Sequence, residues 1–324
     1  MFKNHRTELT VSIINFRTPE LTIKCAQSVL QNMDDVLGHI VVVDNCSGDD
    51  SVDVIGQWID GLGHNPRVTL VRSSRNGGFS AGHNLGMTAQ PADYHLLLNS
   101  DCVILPGCLQ ALLTKAKANP DAGFVTPQLE DPDGTVQISH FRFFSILGEL
   151  VRAAASRPIS RLLPKSELAL APMLAPQEID WASFACVVLR RDMLLALGPM
   201  DEGYFLYFED SAYCWHARQA GWRIVHSPSA RAVHLRGGSG PVKQLTNARE
   251  RLPAYYYASR TRFFYQSRGR LGLLAANLAW HLGRLIARSR VLVGREVPQM
   301  AKAEARDIWT NFLRPLGPNR EPRG

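Results

Sequence analysis

No stretch of the 324-residue chain approaches the roughly 20 uninterrupted apolar residues that a membrane span requires. The first ten residues are polar and charged (Lys3, His5, Arg6, Glu8) and hold no apolar core of a secretory signal, so synthesis and residence in the cytosol are expected. The six cysteines (Cys25, Cys46, Cys102, Cys108, Cys186, Cys214) show no C-x-x-C pairing and no zinc-finger spacing; they are read as reduced packing residues. No G-x-G-x-x-G follows the first strand, and no Walker A sequence occurs, which counts against a dehydrogenase and an NTPase. Acid is scarce at one end only. Residues 241–324 hold 16 Lys/Arg against 5 Asp/Glu, within a chain of net charge +7, so the body is mildly acidic and the tail strongly basic. A basic tail suits an anionic surface, although a solvated basic helix pair accounts for it as well.

What is present is a run of strand and helix signals. Leu9 to Ile14 is a short β-branched, apolar strand, followed by Thr18-Pro19 as a helix start and a helix to about Leu30. His39 to Val43, Arg67 to Arg72 and Tyr94 to Leu98 read as further strands, with a helix around Ser51 to Ile59; glycines 77, 78, 82 and 86 punctuate the segment before Tyr94. Strand–helix alternation with continuously apolar strands predicts a mostly parallel sheet covered by helices on both faces, with ligands at the carboxyl ends of its strands. Asn15-Phe16, Asp44-Asn45 and Asn99 to Asp101 all fall at such ends. Four prolines between 140 and 178 (Pro158, Pro164, Pro172, Pro176) predict a loop-rich insertion. A strand over Ile179 to Arg190, helices over Met193 to Leu197 and Ser211 to Ala220, and a strand from Arg223 follow. Arg236 to Gly240 reads as a flexible break, giving a first domain of 1–240 and a basic, amphipathic helical region of 241–324.

Three polar groups could carry chemistry. Asp101 stands just past a buried strand, where it could hold a divalent cation; an Asx turn explains Asn-Ser-Asp as well. Glu209-Asp210 follows an aromatic run (Tyr204, Phe205, Tyr207, Phe208) that could desolvate a carboxylate and raise its basicity, while acidic capping of a helix explains the pair equally. His234, beside the glycine break, is either a metal ligand or a structural histidine.

Read together, the segments VSIINFRTPE, IVVVDNCSGDDS, RNGGFSAGHNLG, LLLNSD and GPMDEGYFLYFEDSAYCWHARQAGWRIVHSPSARAVHLRGGS resemble the family 2 glycosyltransferases of the GT-A fold, in particular their bacterial rhamnosyltransferase-like branch. The likeness extends from about Leu9 to Ser239. It implies a GT-A nucleotide-diphospho-sugar transferase fold with a basic helical C-terminal extension. It further implies an inverting transfer of a sugar, with rhamnose from dTDP-rhamnose as the leading donor, to a glycan or lipid-linked acceptor. By the same resemblance Asp210, second of the Glu209-Asp210 pair, is the general base, and Asp101 and His234 hold Mg²⁺ or Mn²⁺. Asn15, Phe16 and Asp44 meet the donor's base, Asn76, Gly77, Asn84 and Asn99 its nucleotide or diphosphate, and Trp181 offers an aromatic platform to donor sugar or acceptor. Asn99 replaces the first Asp of the Asp-x-Asp metal motif, His83 stands where many relatives have Arg, and Phe184 where many have Gly, which would reshape the acceptor pocket.

The aromatics and arginines of Tyr255–Tyr257, Arg260, Arg262 and Phe263–Tyr265, with Leu271 to Ala287, read as an interfacial segment. It would bring the protein to an anionic membrane surface, peripherally at the inner face of the cell membrane; packing on the catalytic domain is the alternative. No nucleic-acid partner is expected. A sugar nucleotidyltransferase would need a Gly-rich basic loop after the first strand, where only Arg17 stands, and an inactive sugar-nucleotide-binding scaffold would not need Asp210, Asp101 and His234 intact.

Overall fold

A computed structural model of the chain describes residues 7–63, 67–170, 178–235, 242–294 and 296–317. The predicted break at Arg236 to Gly240, and Pro172 and Pro176 of the insertion, lie outside the described residues.

In chain order the elements are β1 (Leu9–Asn15), α1 (Pro19–Leu30), β2 (Gly38–Asp44), α2 (Ser51–Gly61), β3 (Val68–Arg72), α3 (Gly78–Ala89), β4 (Tyr94–Asn99) and β5 (Cys102–Ile104). Next come α4 (Cys108–Ala118), β6 (Ala122–Glu130), β7 (His140–Phe141), α5 (Ile146–Ala154), α6 (Arg157–Leu162), β8 (Trp181–Ala182), β9 (Cys186–Arg190) and α7 (Arg191–Leu197). The chain continues through α8 (Glu209–Gln219), β10 (Arg223–His234), α9 (Val242–Ala248), α10 (Ala254–Ser289) and α11 (Glu304–Asp307). They divide between two compact units: Met1–Ser139 with Ala182–Glu202 and His216–Ser239, and His140–Trp181 with Gly203–Trp215 and Gly240–Gly324.

The first unit is built on an eight-stranded sheet in the order β3-β2-β1-β4-β9-β6-β10-β5. Strands β1 to β4 pair in parallel, and their mostly apolar runs suit a sheet whose two faces are covered. Strand β9 then enters antiparallel between β4 and β6, making the sheet mixed beyond β4. Val11, Ile13, Ile40, Val42, Leu96 and Leu98 form the centre of the core, with Cys25 and Val29 of α1 against them. Because β1 lies between β2 and β4, the chain leaves the sheet in two directions at the ends of these strands, which opens a crevice there.

The glycine-punctuated segment is a helix, α3, rather than a loop. Gly82 and Gly86, four residues apart, form a flat face on the sheet; a Cβ on Gly82 would meet Ile14 Cδ1 at 2.8 Å, and one on Gly86 would meet Val43 Cγ2 at 3.2 Å. Phe184, expected to reshape an acceptor pocket, is buried with its ring 5.7 Å from that of Phe124 and fills the core of this unit. Five cysteines are buried and unbridged, as expected, but Cys46 is exposed.

The second unit is mainly helical. The proline-rich insertion supplies α5 and α6; Pro158 sits in the first turn of α6, where a missing N–H costs nothing. Helix α10 is broken at Gly269, whose φ of +69° lies in the left-handed region that glycine alone adopts freely. Its first half departs from the expected interfacial role: Tyr255, Tyr257, Phe263 and Phe264 are buried in the aromatic core with Phe205 and Phe208. Arg260 is buried too, donating to Glu149 Oε2 at 2.7 Å and Asn277 Oδ1 at 2.8 Å. Arg152 completes the cluster, bonding Glu149 at 2.9 Å and Glu304 at 2.6 Å. Burial alone would raise the Glu149 carboxyl, but the Arg152 and Arg260 charges bring it down to about 2.

Candidate functional site

Two polar clusters lie in the sheet-bearing unit. The first gathers at the ends of β1 and β2, where the strand register sets Asn15 opposite Asp44 and Ile14 opposite Asn99. Asn15 donates from Nδ2 to Asp44 Oδ1 at 2.8 Å and Ser47 Oγ at 3.1 Å, and its Oδ1 accepts from Thr22 Oγ1 at 2.9 Å. Both amide atoms of Asn15 are therefore engaged inside the protein, so it positions Asp44. Ser47 binds the same carboxylate, its hydroxyl donating to Oδ1 at 2.5 Å and its backbone N–H to Oδ2 at 3.1 Å. A carboxylate offers about four acceptor sites, which leaves Asp44 capacity for one more donor. Beside it Phe16 is 39 % exposed, with the Arg17 guanidinium 5.1 Å from its ring centre. An exposed ring, a cation and a fixed carboxylate can together stack on and hydrogen-bond a planar heterocycle.

Asn76 begins the neighbouring turn. Its Oδ1 accepts from Asn45 Nδ2 at 2.9 Å and from the Gly78 N–H at 3.1 Å, fixing the N-terminus of α3 beside this cluster. Gly77 has no room for a side chain, since a Cβ would lie 2.6 Å from that of Ala81. Asn84 faces elsewhere: it exchanges hydrogen bonds with the backbone of Met200 (2.9 and 3.1 Å) and donates to Glu202 Oε1 at 3.2 Å. It thereby clamps the loop after α7. His83 is a core residue, its Nδ1 2.9 Å from Ser12 Oγ and its ring 4.4 Å from that of Phe79; burial holds it neutral, down to about 3.

The second cluster joins the turn after β4 to the end of β10. Antiparallel pairing sets His234 opposite Cys102, and the Leu235 N–H donates to the Asp101 carbonyl at 2.9 Å. This brings His234 Nε2 to 3.4 Å from Asp101 Oδ1, and the possible ligand atoms of Asp101, Cys102 and His234 lie within 4.8 Å of one another. Cys102 is unsuited to be a ligand: burial first, then nearby cysteines, holds its thiol well above the usual range, and it donates to the Ala185 carbonyl at 3.3 Å. One imidazole and one carboxylate remain, a donor set that fits a divalent cation completing its shell with oxygens from a ligand. Gln137, which no motif marks, supports this pair by donating to the His234 carbonyl at 2.7 Å and to Asp131 Oδ1 at 2.7 Å.

Glu209 and Asp210 open α8 in the second unit. The two residues before them, Tyr207 and Phe208, have φ of +70° and +69°. Left-handed backbone at bulky residues costs about 1–3 kcal/mol each and marks a conformation that packing imposes. The desolvated carboxylate is Glu209, not Asp210. Burial, then the Asp210 charge, drives Glu209 well above its ordinary range, and its Oε2 has no hydrogen-bond partner among the described residues. Asp210 is half-buried and accepts the Ser211 N–H at 2.7 Å. Trp181 is enclosed, stacked 4.3 Å from Phe141 and 5.7 Å from Phe144, with its indole N–H on the Arg142 carbonyl at 2.8 Å, so it packs rather than presenting an open platform.

Comparisons with known proteins agree with this architecture. The family model "Glycosyl transferase family 2" matches residues 10–194. The N-acetylglucosaminyl-diphospho-decaprenol L-rhamnosyltransferase of Mycobacterium tuberculosis is 30 % identical over 247 residues, covering 70 % of this chain and 76 % of its own. Among solved structures, a mannosyltransferase from Pyrobaculum calidifontis in complex with GDP-Man and Mn²⁺ aligns with a TM-score of 0.58 at 14 % identity, over 90 % of this chain and 77 % of the other. GalNAc-T7 with UDP, GalNAc and Mn²⁺ aligns with a TM-score of 0.59 at 12 % identity, over 96 % of this chain and 55 % of the other. These likenesses identify the fold as GT-A.

Proposed function

This chain belongs to glycosyl transferase family 2 and is a glycosyltransferase, and from that premise we propose that it transfers rhamnose from dTDP-rhamnose to a hydroxyl of a lipid-linked or polysaccharide acceptor in cell-surface glycan synthesis. The approach of Asp101 Oδ1 to His234 Nε2, 3.4 Å apart at the end of the sheet, carries the reading of a nucleotide-diphosphate donor. The choice of rhamnose rests on the name of the mycobacterial relative.

In this account Asp44 accepts an N–H of the donor's pyrimidine, Phe16 stacks on the ring, and Asn15 and Ser47 hold the carboxylate in place. The N-terminus of α3, with Asn76 and Gly77, and the end of β4, with Asn99, face the diphosphate, whose negative charge suits a helix N-terminus. Asp101 and His234 would hold Mg²⁺ or Mn²⁺, which when bound would supply charge neutralisation for the departing diphosphate. Asp210 takes the proton of the acceptor hydroxyl as its oxygen bonds to the anomeric carbon and the bond from that carbon to the diphosphate oxygen breaks, inverting the configuration. Glu209 stays protonated beside it and adds no second charge. The enzyme works peripherally at the inner face of the cell membrane, where a lipid-linked acceptor is presented.

A thermal-shift comparison of UDP-, dTDP- and GDP-sugars, each with and without Mn²⁺, tests the donor. The largest stabilisation is expected from dTDP-rhamnose with Mn²⁺, and a larger one from another nucleotide sugar would replace it as donor.

A further inference from the structure

The second half of α10, after Gly269, has two unlike faces. Its inner face is Leu273, Ala276, Asn277, Trp280, Gly283 and Ala287, all buried. Gly283 lies so close to α5 that a Cβ would sit 2.8 Å from that of Ala153. Its outer face carries Leu271, Leu278 and Leu285 at a spacing of seven, with Leu282 between them and Leu292 in the turn that follows. These leucines are 81, 54, 60, 50 and 87 % exposed, respectively, and Val291 is 60 % exposed. Isolated surface leucines are ordinary, but a continuous row along one helix face marks an interaction surface.

The charge around the row selects its partner. Between Glu250 and Glu296 the chain carries nine arginines and no acidic residue. Arg288 is exposed at the end of the row, and Arg290 donates to the Ala155 carbonyl at 3.1 Å, which ties this end to the turn between α5 and α6. Helix α6 adds exposed Arg157 and Arg161 beside Leu162, itself 80 % exposed. Pairing two copies through this face would bring arginines against arginines without a compensating carboxylate on α10. No helix among the described residues is long and apolar enough to cross a membrane. An apolar row ending in clustered arginines matches a helix lying in the plane of an anionic bilayer, with its leucines among the acyl chains and its arginines at the headgroups.

We infer that the outer face of α10, from Leu271 to Leu292, with Arg288, Arg290, Arg157 and Arg161, is a docking surface for an anionic phospholipid bilayer. This deepens the membrane residence proposed above and rests on it for its purpose, while the face itself follows from these residues. It keeps the Leu271 to Ala287 stretch of the interfacial segment read from the sequence and leaves out Tyr255, Tyr257, Phe263 and Phe264 of the first half of α10, which are buried.

Co-sedimentation with phosphatidylglycerol-containing vesicles, against pure phosphatidylcholine vesicles, tests the inference on the full chain. The wild type is expected to pellet with the anionic vesicles at low salt and to release at high salt. Leu278→Glu/Leu285→Glu and Arg288→Glu/Arg290→Glu should each weaken this partition by at least about tenfold. Both variants should keep the stabilisation by dTDP-rhamnose with Mn²⁺, because none of the four residues belongs to the donor site. Variants that pellet like the wild type overturn the face while leaving membrane residence standing. A wild type that ignores anionic vesicles at low salt overturns both. A wild-type dimer in sedimentation velocity that the leucine variant dissociates, without vesicle binding, assigns the face to a second copy and overturns the inference. Loss of the donor-induced shift in every protein, with vesicle binding intact, counts against the donor alone and supports the surface.

Discussion

Replacing Glu209 by glutamine separates the two carboxylates at the head of α8. The Glu209 side chain is 7 % exposed and its proton is held by burial and by the neighbouring Asp210 charge. In the unfolded chain the same carboxyl ionises near its ordinary value of 4.5. Above that pH the folded state binds one more proton than the unfolded state, so stability falls as pH rises, by up to about 1.4 kcal/mol per pH unit. The loss ends only when pH reaches the raised folded value. Glutamine carries no titrating proton and removes this slope; its extra buried N–H adds a constant cost of about 1–3 kcal/mol. The level is therefore uninformative and the slope decides. Scanning calorimetry of wild type and Glu209→Gln at pH values from 5 upward should show the variant gaining Tm relative to wild type, by up to about 2–4 °C per unit, until the raised folded value is reached. Parallel Tm curves would refute a protonated Glu209. Both proteins should also catalyse transfer at rates within about tenfold of each other, since a neutral side chain supports rather than accepts the proton.

The remaining predictions concern other parts of the chain. Arg260→Met removes the cation from a buried carboxylate and should cost about 3–5 kcal/mol in urea unfolding; a loss under 1 kcal/mol would mean that Glu149 finds another partner. The Glu149 carboxyl is lowered in the folded state, so its contribution is complete above pH 4.5 and fades as pH falls toward about 2. Acid unfolding of the wild type should be steeper over that window than that of Glu149→Gln. Gly269→Ala forces an alanine into φ of +69° and should destabilise by more than about 1 kcal/mol; an unchanged Tm would show that the break in α10 can straighten. Asp101→Asn and His234→Ala should each raise the Mn²⁺ concentration needed for half-maximal activity, and an unchanged metal titration would remove them as ligands.

The parallel half of the sheet is legible in the sequence because buried parallel strands leave continuous β-branched runs. Residues at strand ends stand out for the same reason: Asn15, Asp44 and Asn99 interrupt those runs, and the register brings them together. Helix α3 is hidden because glycine reads as punctuation, whereas here its four-residue spacing makes a flat packing face. Helix α6 is hidden by Pro158, which sits in its first turn rather than within it. Strand β5 has only three residues, too few for a periodic signal. Contacts such as Gln137 to His234, 97 residues apart, have no local signature. Neither has the division into units, in which two internal segments join the C-terminal region. The aromatic run before Glu209-Asp210 does desolvate a carboxylate, but sequence alone did not say which of two neighbours turns inward.

Whether Asp210 is the base of this glycosyltransferase is decided by comparing the wild type with Asp210→Asn. Wild type and Asp210→Asn are incubated with dTDP-rhamnose, Mn²⁺ and a lipid-linked acceptor, and released nucleoside diphosphate is followed while calorimetry measures donor binding. Acceptor-dependent release by the wild type, at least about a 100-fold lower rate in the variant, and unchanged donor affinity are expected. Release by Asp210→Asn at the wild-type rate would contradict a base role for Asp210.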